Sequence, residues 1–231
     1  MKYALFICAD PTGEPTDEDP EVWVETWNGR GVRIEGMPLK DPSEGKTIRA
    51  RGEEVLVTDG PFAELTEYIA GYDLIEVSDL DEAIEVARSH PMATAGCIEV
   101  RPVGSIDLGP GTENVPHDGD MPASRFLALF REDPDAPPYT ADPADVAAWV
   151  LDGKASGRYL GGEHLATVDA ATTVRVRDGE LRLSPSGYAD VPQWVSGFVF
   201  VDGGWDEVTE YLSRSPMSRA GMAELREFWE F

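Results

Sequence analysis

Cysteine and histidine are scarce in this sequence, and basic residues are far outnumbered by acidic ones. Its 231 residues include two cysteines, Cys8 and Cys97, and three histidines. Two cysteines without a CxxC spacing are too few for a secreted disulfide framework, so we predict reduced thiols and a cytoplasmic location. The 19 Lys plus Arg stand against 44 Asp plus Glu, a net charge of −25. Nucleic acids and anionic membranes are bound mainly through Lys and Arg, so this charge argues against both as partners.

Long hydrophobic runs are missing as well. The apolar segment at residues 3–9 ends at Asp10 and is shorter than a membrane span. No phosphate-binding loop, nucleophile elbow or zinc motif occurs, so we expect no cofactor. Residues 117–120 hold one His and two Asp, too few ligands on a loop for a metal site. The acidic surplus suits solubility, a salty environment or a basic protein partner.

What the sequence does contain is an internal repeat. Residues 58–64 recur in altered form at residues 184–190, an offset of 126, and residues 91–101 share six identities in eleven positions with residues 216–226. Self-similarity of this kind indicates a duplicated unit. We therefore predict a first domain at residues 1–103, a linker rich in Pro, Gly and Ser at residues 104–123, and a second, diverged domain at residues 124–231.

Each copy has the pattern of an α+β domain. Helix caps are predicted at Asp19 and Asp142, each followed by proline at the first helical position. Residues 47–51 and 54–58 form the arms of a hairpin, and a strand, a helix and a last strand follow. The order is βαββαβ in both copies. An aromatic tail at residues 228–231 either covers a sheet edge or joins two molecules in a homodimer.

Two histidines are candidates for proton transfer. His164 lies in a glycine-rich stretch beside Glu163 that we interpret as an open loop, and it is the first choice for a general acid or base. His90 precedes a proline at a helix end, where an imidazolium would favour the helix dipole, so its role is either a cap or a general base. Only the second copy contains the first of these histidines, so the two copies do not contribute equally to a site.

The remaining candidates are carboxylates, arginines and a tyrosine. Asp59 and Glu64 either form a carboxylate pair for acid–base chemistry or serve as a turn residue and a helix-start residue. Arg49 and its repeat counterpart Arg175 would hold a carboxylate ligand, with surface ion pairs as the alternative. The predicted catalytic residues are therefore His164, Asp59 and His90, and the predicted ligand-binding residues are Arg49, Arg175, Tyr188 and Glu64, with no metal.

The first copy resembles the YCII-related proteins, and within them the DGPF group. The residues that carry the resemblance are the Asp59-Gly60-Pro61-Phe62 motif, followed by matches at residues 71–76, 81–83 and 98–103. The resemblance implies a ferredoxin-like α+β domain that pairs through its sheet into a dimeric α/β barrel, formed here within one chain as a pseudo-dimer. The second copy follows the group's pattern only in outline.

For function, the resemblance implies two alternatives. Some proteins similar to this family act on small cyclic or muconate-like acids with a His–Asp pair whose His lies in the first helix, but residues 19–27 and 142–151 contain no histidine. The chain departs from that pattern. The first alternative is therefore a small-molecule binder or cofactor-independent enzyme of another kind, with a cleft lined by Arg49, Asp59, His164, Arg175 and Tyr188. The group also occurs beside alternative sigma factors, which favours a non-catalytic accessory protein that docks a basic partner.

Overall fold

The protein is an α+β chain with two antiparallel sheets. The computed structural model describes residues 1–10, 12, 16, 19–61, 67–114, 125–133, 141–188 and 193–229. In chain order the elements are β1 (Lys2–Ala9), α1 (Pro20–Gly29), β2 (Arg33–Pro38), β3 (Lys46–Arg51), β4 (Glu54–Asp59), β5 (Tyr68–Glu76), α2 (Leu80–Arg88), α3 (Met92–Ala95), β6 (Cys97–Pro102), β7 (Phe126–Arg131), α4 (Pro143–Ser156), β8 (Tyr159–His164), β9 (Thr172–Arg177), β10 (Glu180–Ser184), β11 (Val195–Val201), α5 (Trp205–Ser213), α6 (Pro216–Ala220) and β12 (Met222–Glu227). Short 3-10 turns occur at Pro42–Glu44 and Val168–Ala170.

The helix starts follow from the caps that the sequence predicts. The side chain of Asp19 accepts a hydrogen bond from the Glu21 N–H, and that of Asp142 accepts one from the Ala144 N–H. Each cap satisfies a backbone donor that has no partner inside the helix, and the proline that follows begins the helix with its φ already set. Both predicted caps are confirmed.

The chain forms two compact units that interleave along the sequence. Unit 1 contains Met1–Leu39, Glu64–Gly104 and Leu165–Asp190, and unit 2 contains Lys40–Ala63, Ser105–His164 and Val191–Phe231. The two domains predicted at residues 1–103 and 124–231 are sequence segments, and each compact unit draws strands from both. The segment boundaries themselves stay a prediction.

The sheets of the two units have matching strand orders. In unit 1 the order is β10-β9-β6-β1-β5-β2, and in unit 2 it is β4-β3-β12-β7-β11-β8. The hairpin of β3 and β4 therefore lies beside β12, and the hairpin of β9 and β10 lies beside β6. Both sheets are open in the part of the chain that the structure describes, which contains no closed barrel.

Two of the strands were not predicted from the sequence. β2 (Arg33–Pro38) and β8 (Tyr159–His164) are the edge strands next to β5 and β11. His164 is the last residue of β8, so its placement in an open loop was wrong. Gly162 explains the misleading composition: a Cβ there would lie 2.4 Å from the Phe198 carbonyl oxygen, a close approach that only glycine permits.

Each unit packs its helices against one face of its sheet. In unit 1 the apolar core includes Leu5 and Ile98 of the sheet with Ala83 and Ala87 of α2. In unit 2 the core includes residues from β7, β12 and α4 around Trp149, whose ring stacks on Tyr211 at a centroid distance of 4.5 Å.

The aromatic tail is only partly described. The Phe228 side chain is buried, and its N–H donates to the Arg125 carbonyl at 3.1 Å, whereas Trp229 is exposed. Residues 230–231 lie outside the described residues. The homodimer predicted from this tail stays a prediction.

Candidate ligand-binding site

Charged residues are buried on the sheet face of unit 1 that lies opposite its helices. Leu5, Ile7, Ile98, Val100 and Val174 belong to the core beneath the helices. Because side chains alternate along a strand, the residues between them point to the opposite face. That face, called here the polar face of unit 1, carries Phe6, Cys8, Cys97, Glu99, Arg101 and Thr173, all buried.

Glu99 and Arg101 form a buried ion pair on this face. Their side chains are almost fully buried and the Arg101 Nη2 contacts the Glu99 Oε1. The other carboxylate oxygen accepts the Tyr188 N–H at 2.7 Å, and the Arg101 Nη1 donates to the Ala166 carbonyl at 3.2 Å. A buried charge is tolerated only when it is paired and hydrogen-bonded.

Two thiols lie beside this pair. Cys8 and Cys97 occupy directly opposed positions on β1 and β6, and both are buried and free. Burial raises the pKa of the Cys8 thiol well above its usual value, and its contact with Cys97 raises it further. Because the thiolate is the reactive form, Cys8 is not suited to act as a nucleophile at neutral pH.

Arg175 is the partly exposed cation of this region. Its Nη2 donates to both oxygens of Glu67, at 3.0 and 2.7 Å, and to the Tyr188 carbonyl at 3.4 Å. The Arg175 side chain is 26% exposed. Within the described residues its Nε and Nη1 have no hydrogen-bond partner. A guanidinium with unused donors at a partly exposed position is able to hold an anionic group.

The polar face of unit 2 differs in its charges. It carries Arg131, Glu224 and Arg226, all buried. The Glu224 carboxylate accepts from the Arg131 Nε at 2.6 Å and from the Arg226 Nη1 at 3.1 Å. Burial alone would raise the pKa of Glu224, but the two arginines hold it below its usual value. The two arginines neutralise the Glu224 carboxylate, so we interpret these three residues as a structural feature of the sheet.

Arg49, the counterpart of Arg175, lies in unit 2 beside Asp133. Its Nε is 3.8 Å from the Asp133 Oδ2, and the neighbouring Arg51 donates to the same oxygen at 2.6 Å. Asp133 is thus shared by two arginines. The alternative stated for Arg49, an ion pair with an acidic residue, is what the structure contains.

Asp59 and His164 are both exposed in unit 2. Asp59 is the last residue of β4, and its Oδ1 accepts from the Lys46 Nζ at 2.7 Å, which lowers the pKa of the carboxyl. His164 lies opposite Gly197 at the end of β8. Glu64, the suggested partner of Asp59, lies outside the described residues. Of the predicted set, the structure brings Arg175 and Tyr188 into contact.

His90 is buried in unit 1. Its ring meets the Trp23 ring edge to face at 4.7 Å, and its Nδ1 accepts the Met92 N–H at 3.1 Å. Burial, with a smaller contribution from Arg33, lowers the pKa of His90 to about 4. At this pKa the imidazole is neutral at pH 7, and its Nδ1 accepts a hydrogen bond at the start of α3, a contact of the capping kind.

Glu67 and the neighbouring thiols were not singled out from the sequence. Glu67 precedes β5 without a motif, and it meets Arg175 across 108 residues of chain. Only period-two alternation on β1 and β6 hinted that Cys8, Cys97 and Glu99 share a face. That signal becomes useful only when the pairing of the strands is known.

A shallow depression lies on the surface of unit 2. It has a volume of about 460 Å³ and is lined by Glu44, Lys46, Trp205, Asp206 and Glu227. The Lys46 ammonium already lies 5.7 Å from the centre of the Trp205 ring. The depression is open to solvent and already holds the Lys46 ammonium, so we do not assign it as a ligand-binding site.

Among the described residues, no group of three or more His, Cys, Asp and Glu side chains is placed to hold a metal ion. The segment 117–120 considered above lies outside them. The described helices include none that is both long and apolar enough to cross a membrane.

Comparison with known proteins places one family on part of the chain. Residues 39–107 match the model of the YCII-related domain. An uncharacterized protein of Rhizobium meliloti (strain 1021) is 44% identical over 65 residues, which make up 27% of this chain and 52% of that protein. The chain thus spans about half the length of the curated relative it matches. The matched segment includes β3 and β4 of unit 2 and β5 and β6 of unit 1.

Proposed function

We propose that the chain is a tandem duplication of a YCII-related domain of the DGPF group, with two ferredoxin-like copies that exchange hairpins. Three observations support this. The sequence repeats with offsets of 123 to 126, the two sheets have the same strand order, and equivalent arginines make equivalent contacts. Arg177 donates to the carbonyls of Ala93 and Gly96 in unit 1, and Arg51 donates to those of Ser218 and Gly221 in unit 2.

For its function, we propose that unit 1 binds a small organic carboxylate at Arg175. The observation that carries this proposal is that the Nε and Nη1 donors of Arg175 have no partner among the described residues, at a position that is partly open. Glu67 holds the guanidinium in place through its Nη2, and the Tyr188 carbonyl supports the same nitrogen. The guanidinium is therefore fixed before a ligand arrives, which lowers the entropic cost of binding.

Chemistry at this position would need no cofactor. Glu67, which contacts Arg175 through both carboxylate oxygens, would be the carboxylate beside a ligand held there. His164 and Asp59 belong to unit 2, and their catalytic role stays a separate prediction. We expect the protein to act in the cytoplasm.

The proposal is tested by thermal denaturation of the purified protein against small carboxylates, aromatic acids and lactones. A ligand that binds only the folded state stabilises it by about 2.7 kcal/mol at a concentration of 100 times its Kd. The shift should be lost in Arg175→Ala. It should persist in Arg182→Ala, which removes an exposed arginine of the same unit.

A flat screen, or a shift that survives Arg175→Ala, would contradict the carboxylate site. Arg49→Ala provides a further control, because Arg49 is the repeat counterpart in unit 2. Loss of the shift in Arg49→Ala alone would move the ligand site to unit 2.

The second candidate is a non-catalytic accessory protein that docks a basic partner such as a sigma factor. The observation that favours it is the net charge of −25, which steers positively charged partners toward the surface.

A further inference from the structure

Strand β4 of unit 2 is an exposed sheet edge with an apolar centre. It pairs with β3 on one side, and no strand of the described chain pairs with its other side. All of its residues are exposed, and Val55, Leu56 and Val57 are 48%, 49% and 38% exposed. An edge strand presents a row of unpaired N–H and C=O groups, so an apolar edge without a block is a template for pairing with another strand.

The repeat counterpart of β4 lacks this property. In β10 the position of Leu56 is taken by Arg182, whose side chain is 60% exposed, and Leu181 packs against the core of unit 1. A charge in the middle of an edge strand is a common protection against edge pairing. The β8 edge is protected differently, because the Asn114 side chain accepts the Gly162 N–H at 3.0 Å. In the described chain, β4 has neither a charged residue at its centre nor a side chain that accepts from an N–H of its free edge.

The charges around β4 indicate the kind of strand that fits it. Glu53 and Glu54 are exposed at one end, and Asp59 is 86% exposed at the other. A strand with basic residues at its ends and apolar residues at its centre would match this pattern. Opposite charges on directly facing positions stabilise a strand pair, and like charges destabilise it.

The same charges disfavour a second copy of this chain. An antiparallel pairing of β4 with itself that uses all six residues places Glu54 opposite Asp59 of the other copy at both ends of the ladder. Each chain also carries a net charge of −25, which adds a general repulsion.

We propose that β4 is a docking edge for an extended, basic segment of another protein, which adds to the sheet of unit 2 as a seventh strand beside β4. Main-chain hydrogen bonds supply the affinity, and the contacts with Val55 and Val57 on one face and Leu56 on the other select apolar side chains. The proposal rests on the second candidate function and gives it a place on the fold. It does not depend on carboxylate binding at Arg175.

The test uses the full chain and a fluorescent peptide with lysines at both ends and valines at its centre, with a peptide that carries glutamates in place of the lysines as comparator. Fluorescence anisotropy should show binding of the basic peptide alone, weakening as salt is raised. Leu56→Arg, which installs the residue found in β10, should weaken binding by about tenfold or more. Leu183→Arg on β10 is the matched control and should leave it unchanged.

Amide hydrogen exchange locates the contact. Binding of the basic peptide should protect alternate amides of β4 and leave those of β10 unchanged. Absence of binding, equal binding of the acidic peptide, or protection elsewhere would overturn the proposal. So would a wild-type dimer in sedimentation experiments that Leu56→Arg dissociates, because a second copy would then occupy the edge. The Arg175→Ala variant separates the two proposals, since it should bind the peptide normally.

Discussion

The polar faces of the two units hold a buried glutamate at the same place and neutralise it differently. In unit 2 Glu224 lies between Arg131 and Arg226, whereas in unit 1 Glu99 has Arg101 and a backbone N–H. Cys8 stands where Arg131 stands in the other unit, at an offset of 123. The polar face of unit 2 thus has a second cation beside its glutamate. The polar face of unit 1 has a small thiol at that position and a partly exposed Arg175, which makes unit 1 the better candidate for ligand binding.

The largest expected effect comes from breaking the triad of unit 2. Arg131→Met leaves Glu224 with one cation in a buried position, and the loss of a buried ion partner destabilises a protein by about 3–5 kcal/mol. Urea denaturation measures the change. Arg125→Met is the control, because this 45% exposed arginine pairs with Glu227 at the surface and should cost less than about 1 kcal/mol. Equal effects of the two substitutions would refute the structural role of the triad.

A second comparison concerns the caps of α3 and α6. His90 accepts the Met92 N–H, and its counterpart Ser215 accepts the Met217 N–H at 3.2 Å. Both side chains accept a hydrogen bond from a backbone N–H at the start of a short helix, but only the His90 side chain is titratable. Its pKa falls from 6.5 to about 4 through burial, which at about 1.4 kcal/mol per pH unit amounts to at most roughly 3 kcal/mol.

His90→Ser should remove a pH dependence from the stability. Below pH 6.5 the unfolded chain binds a proton at His90, whereas the folded chain does not until about pH 4. The stability from the neutral imidazole is therefore complete above pH 6.5 and is lost as the pH falls toward 4. Denaturation of both proteins across this range should show a smaller acid-induced loss for the variant. Parallel curves would mean that His90 is accessible to protons in the folded state.

The exchanged hairpins provide the third comparison. Arg177 and Arg51 each bind main-chain carbonyls at the end of a short helix, α3 and α6 respectively. Arg177→Met should cost about 2 kcal/mol, a typical value for hydrogen bonds from a charged donor. Arg51→Met should cost slightly more, because Arg51 also pairs with Asp133. Chemical denaturation of the two variants checks this order, and a negligible cost for both would show that these bonds do not hold the hairpins.

The smallest expected effect is that of cutting the linker. With a protease site inserted within residues 115–124, cleavage should leave the two segments associated, because β3 pairs with β12 and β6 pairs with β9 across the cut. Both fragments should elute together in native size-exclusion chromatography and separate on a denaturing gel. Fragments that separate under native conditions would contradict the exchange of hairpins.

Local structure was largely predictable. The caps at Asp19 and Asp142 and both arms of the hairpin follow from short-range rules, because the interactions that define them lie within a few residues. β2 was missed because its pattern includes the buried Glu35 and Gly36. Gly36 leaves room for Asp73, whose oxygen lies 1.9 Å from where a Cβ would be. A strand in which a glycine and a charged residue are buried against a distant part of the chain does not show the usual alternation of apolar and polar residues.

The site was much less predictable. Arg175 and Tyr188 were selected from the repeat, but Glu67 and the buried Glu99 gained importance only through their contacts. These pairs are 108 and 89 residues apart, and no local pattern connects them.

The α+β class and the helix starts could be derived from the sequence alone, because they depend on composition and on neighbours along the chain. That each hairpin adds to the sheet containing the other segment's strands became evident from the fold, as did the resulting contacts of Arg175 with Glu67 and of Arg49 with Asp133. Strand pairing is made through the backbone, which offers the same N–H and C=O groups in either segment. The pattern of side chains specifies a strand and its buried face, but the partner at its edge is settled by the packing of the whole unit.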